Sequence, residues 1–134
     1  MAEVSDSPQY LVIDASVLLC RFLPDEKPPE NISVLFKKYE AGSIKFIVPE
    51  LLKYEIANSL KSGVLQKRLS LETAQNILAS ILLLTINYLD ADFQVCLNLA
   101  VKYNISVYDA AYVALARKHK TRLITLDDNL AAIA

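Results

Sequence analysis

Short β-prone apolar runs alternate along this chain with longer segments whose apolar residues return every three or four positions. Tyr10 to Ile13 is continuous, as expected of a strand covered on both faces. A polar stretch from Leu23 to Asn31 follows, carrying Pro24, Pro28 and Pro29. From Ile32 to Ala41 the spacing of Leu35, Phe36 and Tyr39 predicts a helix, and Gly42 is placed to stop it. Lys45 to Val48 reads as a second strand. Pro49 then opens a helix to about Ser62, with Leu52, Ile56 and Leu60 four apart and Gly63 just beyond its end.

Ser70 is a good N-cap for a third helix through Ala74, Ile77, Leu78 and Ile81 towards Leu84. Asp90 to Tyr103 predicts a fourth, with Phe93, Leu97 and Ala100 on one face and Asn104 at its end. The remaining elements read as a short strand at Ile105 to Val107, a helix from Tyr108 to Lys118, a strand from Arg122 to Leu126 and a short helix from about Asn129. Strands alternating with helices imply an α/β fold, with a parallel sheet between helices. No repeat, linker or low-complexity segment divides the chain, so one domain is expected over residues 1–134.

Composition narrows the classes without naming one. With 134 residues, 54% of them hydrophobic and only 2 Gly, the chain can bury a substantial core and is not disordered. Its 14 basic and 15 acidic residues leave a net charge of -1, so any phosphate-binding surface must be local. The apolar stretch from Ile77 to Leu89 is broken by Ser80, Thr85 and Asn87 and falls short of the ~20 residues that span a bilayer. The start, MAEVSDSPQY, has neither the basic nor the apolar region of a signal peptide, and a soluble cytoplasmic protein is expected. Cys20 and Cys96 lack metal or redox spacing and read as packing residues. The single histidine, His119, lies in ARKHKTR at a helix end, where a cation meets the negative end of the helix dipole.

The chemistry lies in four phrases that leave an acid where an apolar segment ends or a helix begins: YLVIDAS, ELLKYEIANSL, YDAAYVALA and LITLDDNL. A carboxylate beside buried apolar surface is costly unless something pairs with it. In an open α/β sheet, ligands collect beyond the carboxyl ends of the strands where strand order reverses, and Asp14, Glu55, Asp109 and Asp127 can all reach that edge. Oxygen-only ligands suit a hard cation, magnesium or manganese, over zinc. Asn58 and Ser59 extend a polar strip beside Glu55. Of the adjacent pair, Asp127 is placed in the site because Thr125 shares its side of an extended segment, while Asp128 caps the last helix or faces water.

DAS with Asp14, EIANSL with Glu55 and Asn58, YDAAYVALA with Asp109, and T-L-D with Thr125 and Asp127 resemble the motifs of the PIN-domain nucleases. The likeness runs from about Tyr10 to the end, and is closest to the small toxins of the VapC type in toxin-antitoxin pairs. It implies a twisted parallel sheet flanked by helices, an α/β/α sandwich, and an endoribonuclease dependent on magnesium or manganese. It also implies an RNA substrate, a cognate antitoxin that blocks the site, and pairing as a homodimer. Asp14, Glu55, Asp109 and Asp127 become the catalytic and metal-binding acids, supported by Ser16, Asn58 and Thr125. The family often has a basic residue after the last aspartate; here Asp128 takes that place.

Charge then sets the expected mechanism: a phosphodiester resists water unless cations neutralise the phosphate and activate the nucleophile, with one metal or two ~4 Å apart. Candidate substrate cations are Arg21, Lys53, Lys61 and the cluster Arg117, Lys118, Lys120 and Arg122, the last equally explained by helix-end charge and solubility. Leu35, Phe36, Leu52 and Ile56 are expected to leave an apolar groove for an antitoxin helix. Two other classes are a receiver-like or phosphatase-like phosphoryl-transfer domain with an acidic pocket and a catalytically silent PIN-like binding scaffold. The first expects an acidic pair after the first strand, where this chain has DAS; the second carries the repulsion of four acids without use.

Overall fold

Leu11, Val12 and Ile13 form an inner strand because both of their faces are covered, and all three are buried. The computed structural model describes residues 7–134, so most of the N-terminal segment read above for a leader lies outside the described residues. Four parallel strands, β1 (Gln9–Ile13), β2 (Ile44–Pro49), β3 (Ile86–Leu89) and β4 (Leu123–Ile124), make one sheet in the order β3-β2-β1-β4. The chain leaves β1 towards β2 on one side and returns to β4 on the other. The carboxyl end of β1, next to β4, is therefore the switch point where such sheets bind ligands.

Seven helices connect and flank the strands among the described residues: α1 (Ala15–Phe22), α2 (Glu30–Glu40), α3 (Leu51–Leu65), α4 (Leu71–Leu82), α5 (Phe93–Tyr103), α6 (Val107–Lys118) and α7 (Asp128–Ile133). Helix α2 covers the sheet through Phe36 and Tyr39, whose rings pack on Phe46 of β2. Helix α6 lies on β1, β2 and β4, and its residues from Ala110 to Ala116 are all buried. Four alanines in that run let α5 and the sheet approach α6 closely. The expected α/β/α sandwich around a parallel sheet is the fold observed.

Several local expectations hold through their stated causes. Ser70 accepts the Thr73 N–H as N-cap of α4, and Asn104 ends α5 in the left-handed region at φ 52°. Gly42, at φ +83°, follows the last turn of α2, where Ser43 N–H reaches back to the Lys38 carbonyl.

Others are corrected. Ile105 to Val107 is not a strand: Ser106 caps α6 and its hydroxyl accepts the Asp109 N–H at 3.0 Å, so the three residues turn into the helix. The remaining strand is instead β3, Ile86–Leu89, at the end of the apolar stretch from Ile77 to Leu89, and α4 stops at Leu82, short of Leu84. Tyr39 fixes its start, accepting the Thr85 N–H at 2.8 Å and donating to the Thr85 carbonyl. Gly63 does not end α3 at Ser62; it lies inside the helix, where an added Cβ would meet Leu69 at 3.1 Å. The last strand is shorter than Arg122 to Leu126, and α1 was not foreseen.

Candidate functional site

Asp14 directly follows β1 and is the one buried charged residue among those described. Three donors meet its carboxylate: the Ser16 N–H at 3.1 Å and Ser16 Oγ at 2.5 Å on Oδ1, and Thr125 Oγ1 at 2.5 Å on Oδ2. Each hydroxyl also accepts a backbone N–H from the segment after β4, Ser16 from Leu126 and Thr125 from Asp127, both at 3.1 Å. The anion is thereby desolvated, compensated and fixed in direction. Asp14 is also N-cap of α1, so the backbone that buries it supplies one of its donors.

Glu55 lies in the second turn of α3, half-buried, and takes a 2.5 Å hydrogen bond on Oε1 from the Tyr112 hydroxyl. Burial raises its pKa above the ordinary glutamate value; Tyr112 opposes that, and the charges of Asp109 and Asp14 add to it. Asp109, in the first turn of α6, is raised for the same first reason, then by Asp127, with Ser106 opposing and Asp14 adding. The structure thus brings the four predicted acids into one electrostatic neighbourhood. Asp109 links the set: Asp127 and Asp14 raise it, and it in turn raises Glu55.

Asp127 stands apart from the expectation in two respects. It comes three residues after β4 rather than directly after a strand, and it is itself the cap of α7, accepting the Asn129 and Leu130 N–H groups on Oδ1. Asp128 is an exposed first residue of α7 and not its cap. Since both amides use Oδ1, Oδ2 of Asp127 is free of protein partners among the described residues, and the charge of Asp127 raises the Asp109 carboxyl. Asp109 and Asp127 line one cleft of ≈ 550 Å³.

Of the three residues expected in support, Ser16 and Thr125 donate to Asp14, while Asn58 is exposed and makes no hydrogen bond to the acids among the described residues. Tyr112 and Ser106 were missed. Both were readable: each is three residues from Asp109, which places Tyr112 on the Asp109 side of α6 and makes S-V-Y-D a capping pattern.

Three of the seven proposed substrate cations have protein partners. Arg21 pairs with Glu40 at 4.0 Å and lies against Phe22 and Phe36. Lys53 pairs with Glu50 at 3.3 Å and sits 4.2 Å from the Tyr88 ring centroid. Arg117 donates to Tyr103 Oη and the Ile133 carbonyl. Lys118 lies nine residues beyond Asp109 on α6, ~14 Å at the helical rise, so it belongs to the other end of that helix. The apolar groove is also removed, since Leu35, Phe36, Leu52 and Ile56 are all buried. Exposed apolar surface lies instead at a ≈ 210 Å³ cleft between α3 and α4, lined by Leu65 and Leu71 among others, and along α5.

Among the described residues, no three His, Cys, Asp or Glu side chains form a ready cage for a metal ion. Magnesium seldom uses such a cage; it keeps several waters and takes one or two carboxylates. Asp14, with both oxygens already oriented, and Asp109 beside it fit that demand, and the charge crowding around Asp109 is what a cation would relieve. No described helix is long and apolar enough to cross a membrane.

Comparison with known proteins agrees with this architecture. The chain is 31% identical over 125 residues to Ribonuclease VapC3 of Pyrobaculum aerophilum, spanning 90% of this chain and 92% of that one. The crystal structure of PAE2754 from the same organism superposes with a TM-score of 0.69 at 24% identity, covering 95% of this chain and 86% of that one, a likeness of fold. The PIN domain family matches residues 11–134, and the chain belongs to that family.

Proposed function

We propose that this protein is a divalent-metal-dependent endoribonuclease that cleaves RNA phosphodiester bonds, and the toxin of a type II toxin-antitoxin pair. The observation that carries the reading is the convergence of Asp14, Glu55, Asp109 and Asp127 beyond the carboxyl end of β1, with Asp14 buried and held by Ser16 and Thr125. The name of the relative, Ribonuclease VapC3, supports RNA as substrate and an antitoxin as partner. Membership of the PIN family sets the receiver-like alternative aside.

In this reading Asp14 and Asp109 would hold the principal magnesium or manganese ion, and Glu55 and Asp127 would complete its surroundings directly or through water. The bound ion would neutralise the phosphate and lower the pKa of attacking water. Glu55 has one oxygen held by Tyr112, which leaves Oε2 to orient the nucleophile and take its proton. Its raised pKa brings that carboxylate closer to neutral pH than an ordinary glutamate and makes it a better base. Asp127 offers Oδ2 from a capped, fixed position.

Cytoplasmic action and a homodimer belong to the same proposal. Phe93, Leu97 and Val101, four apart on α5 and 82%, 56% and 76% exposed, form an apolar stripe suited to a second copy. Sedimentation tests the dimer: Leu97→Glu should shift the protein to monomer, and a wild type that is monomeric at micromolar concentration removes it.

The activity is tested with purified protein, labelled RNA and magnesium. Wild type should cut, chelator should stop it, and Asp14→Asn should lower the rate at least ~100-fold while keeping the helical spectrum. Wild-type protein inert towards RNA with either metal would favour the silent scaffold. An Asp14→Asn protein cutting at the wild-type rate would remove Asp14 from the site.

A further inference from the structure

The cleft lined by Asp109 and Asp127 is lined as well by Tyr103, Asn104 and Ser106 of the α5–α6 turn and by Asn129 and Ile133 of α7. Its ≈ 550 Å³ lies within the range that holds a small ligand. Besides the two acids, the lining offers an aromatic ring, Tyr103, and two carboxamides, Asn104 and Asn129.

Tyr103 is the last residue of α5, and its ring is flanked by two cations, Lys102 Nζ at 5.2 Å and Arg117 Cζ at 5.5 Å from the centroid. Arg117 Nη2 donates to both Tyr103 Oη and the Ile133 carbonyl, each at 3.2 Å, so the phenol is tied to the end of α7. Arg117 does not line the cleft; it holds Tyr103 in place. Asn104 is in the left-handed region, a conformation glycine would also satisfy, and its side-chain amide has no partner among the described residues. The Asn129 side-chain amide is equally uncommitted, since only its backbone N–H bonds to Asp127.

A ring to stack on and amides to meet an edge are what recognise an unpaired base in single-stranded RNA. We infer that this cleft holds a nucleobase subsite: Tyr103 stacks one base of the RNA, Asn104 and Asn129 meet its edge, and the phosphate joined to that nucleotide is thereby placed for cutting at the acids. The inference rests on the ribonuclease reading above and adds the residues that decide where the strand is cut.

The test compares wild type with Tyr103→Phe, Tyr103→Ala and Asn104→Gly, using a labelled single-stranded RNA of mixed sequence with magnesium. KM, kcat, the map of cut positions and Tm are measured for each. Tyr103→Ala should raise KM ~10-fold or more with kcat little changed, as the loss of one stacked base requires. Tyr103→Phe keeps the ring and should stay within about twofold of wild type. Asn104→Gly keeps the backbone and should redistribute the cuts. If Tyr103→Ala leaves KM and the cut map unchanged in a wild type that cuts, the subsite is overturned. If Tyr103→Phe fails as badly as Tyr103→Ala, the phenol's tie to Arg117 is the whole role and stacking is overturned. A Tyr103→Ala effect seen only on affinity for a protein partner overturns RNA as the occupant. A wild type that cuts no RNA ends the ribonuclease reading and this subsite together.

Discussion

Thr125 Oγ1 donates to Asp14 Oδ2 at 2.5 Å, joining residues 111 positions apart. The same oxygen accepts the Asp127 N–H at 3.1 Å. One hydroxyl therefore ties the buried acid after β1 to the backbone of a second acid after β4. Ser16 repeats the arrangement from the other side, donating to Asp14 Oδ1 and accepting the Leu126 N–H. The register between β1 and β4, Val12 opposite Leu123 and Ile13 opposite Ile124, is what delivers both hydroxyls to one carboxylate.

Thr125→Val removes a donor from Asp14 and an acceptor from the Asp127 N–H in a single step. The expected cost is about 1–3 kcal/mol of stability, together with a fall in cleavage, because a part-buried charge loses its partner. Thr125→Ser keeps the hydroxyl and should recover most of both. Chemical denaturation and single-turnover cleavage of the two variants decide it. Equal behaviour of Val and Ser would mean that the hydroxyl contributes nothing.

The raised pKa values of Glu55 and Asp109 fix the sign of a pH effect in metal-free protein. Both carboxyls hold protons in the native state at pH values where the unfolded chain has lost them. Stability should therefore fall as pH rises from the ordinary carboxylate range, about 4, through their raised values, and the full cost remains above them. Glu55→Gln or Asp109→Asn should melt higher than wild type at neutral pH in chelator, with the gap closing near pH 4. Melting curves across that range would show it. Variants less stable than wild type at neutral pH would reverse the assignment.

The parts of the site that were legible in the sequence are those set by local chemistry. Asp14 ends a continuous apolar run, and Thr125 sits two residues before Asp127. What was not legible depends on three-dimensional partners. Ile86–Leu89 becomes a strand because β2 offers an open edge and Tyr39 pins Thr85, neither of which periodicity records. Leu35, Phe36, Leu52 and Ile56 looked too apolar for a small sheet to cover, yet all four are buried. Asp127 rather than Asp128 caps α7 because the chain leaves β4 after Ile124, two residues earlier than the apolar pattern suggests.

Crowding around Asp109 also predicts a metal linkage. An ion that binds the folded site and not the unfolded chain raises stability by about 2.7 kcal/mol at one hundred times its dissociation constant. Tm should climb with magnesium or manganese, and the response should be lost in the Glu55→Gln, Asp109→Asn double variant. Calorimetric melts over a metal titration measure both. An undiminished response in the double variant would place the ion elsewhere.

Tyr112 supplies the most specific remaining prediction, because it touches the site without being one of its acids. It is 1% exposed, and its hydroxyl is held as a protonated donor by burial first and then by its bond to Glu55 and the charge there. Tyr112→Phe leaves the ring and its packing in place but withdraws the only protein donor to Glu55 among the described residues. Glu55 should then titrate still higher, since that bond is the one influence opposing its upward shift. The expected outcome is a cleavage profile whose acidic limb moves to higher pH, with a stability loss of about 1 kcal/mol. A rate lowered equally at every pH would mean that Tyr112 positions Glu55 without tuning it, and an unchanged profile would mean that the 2.5 Å contact is idle in catalysis.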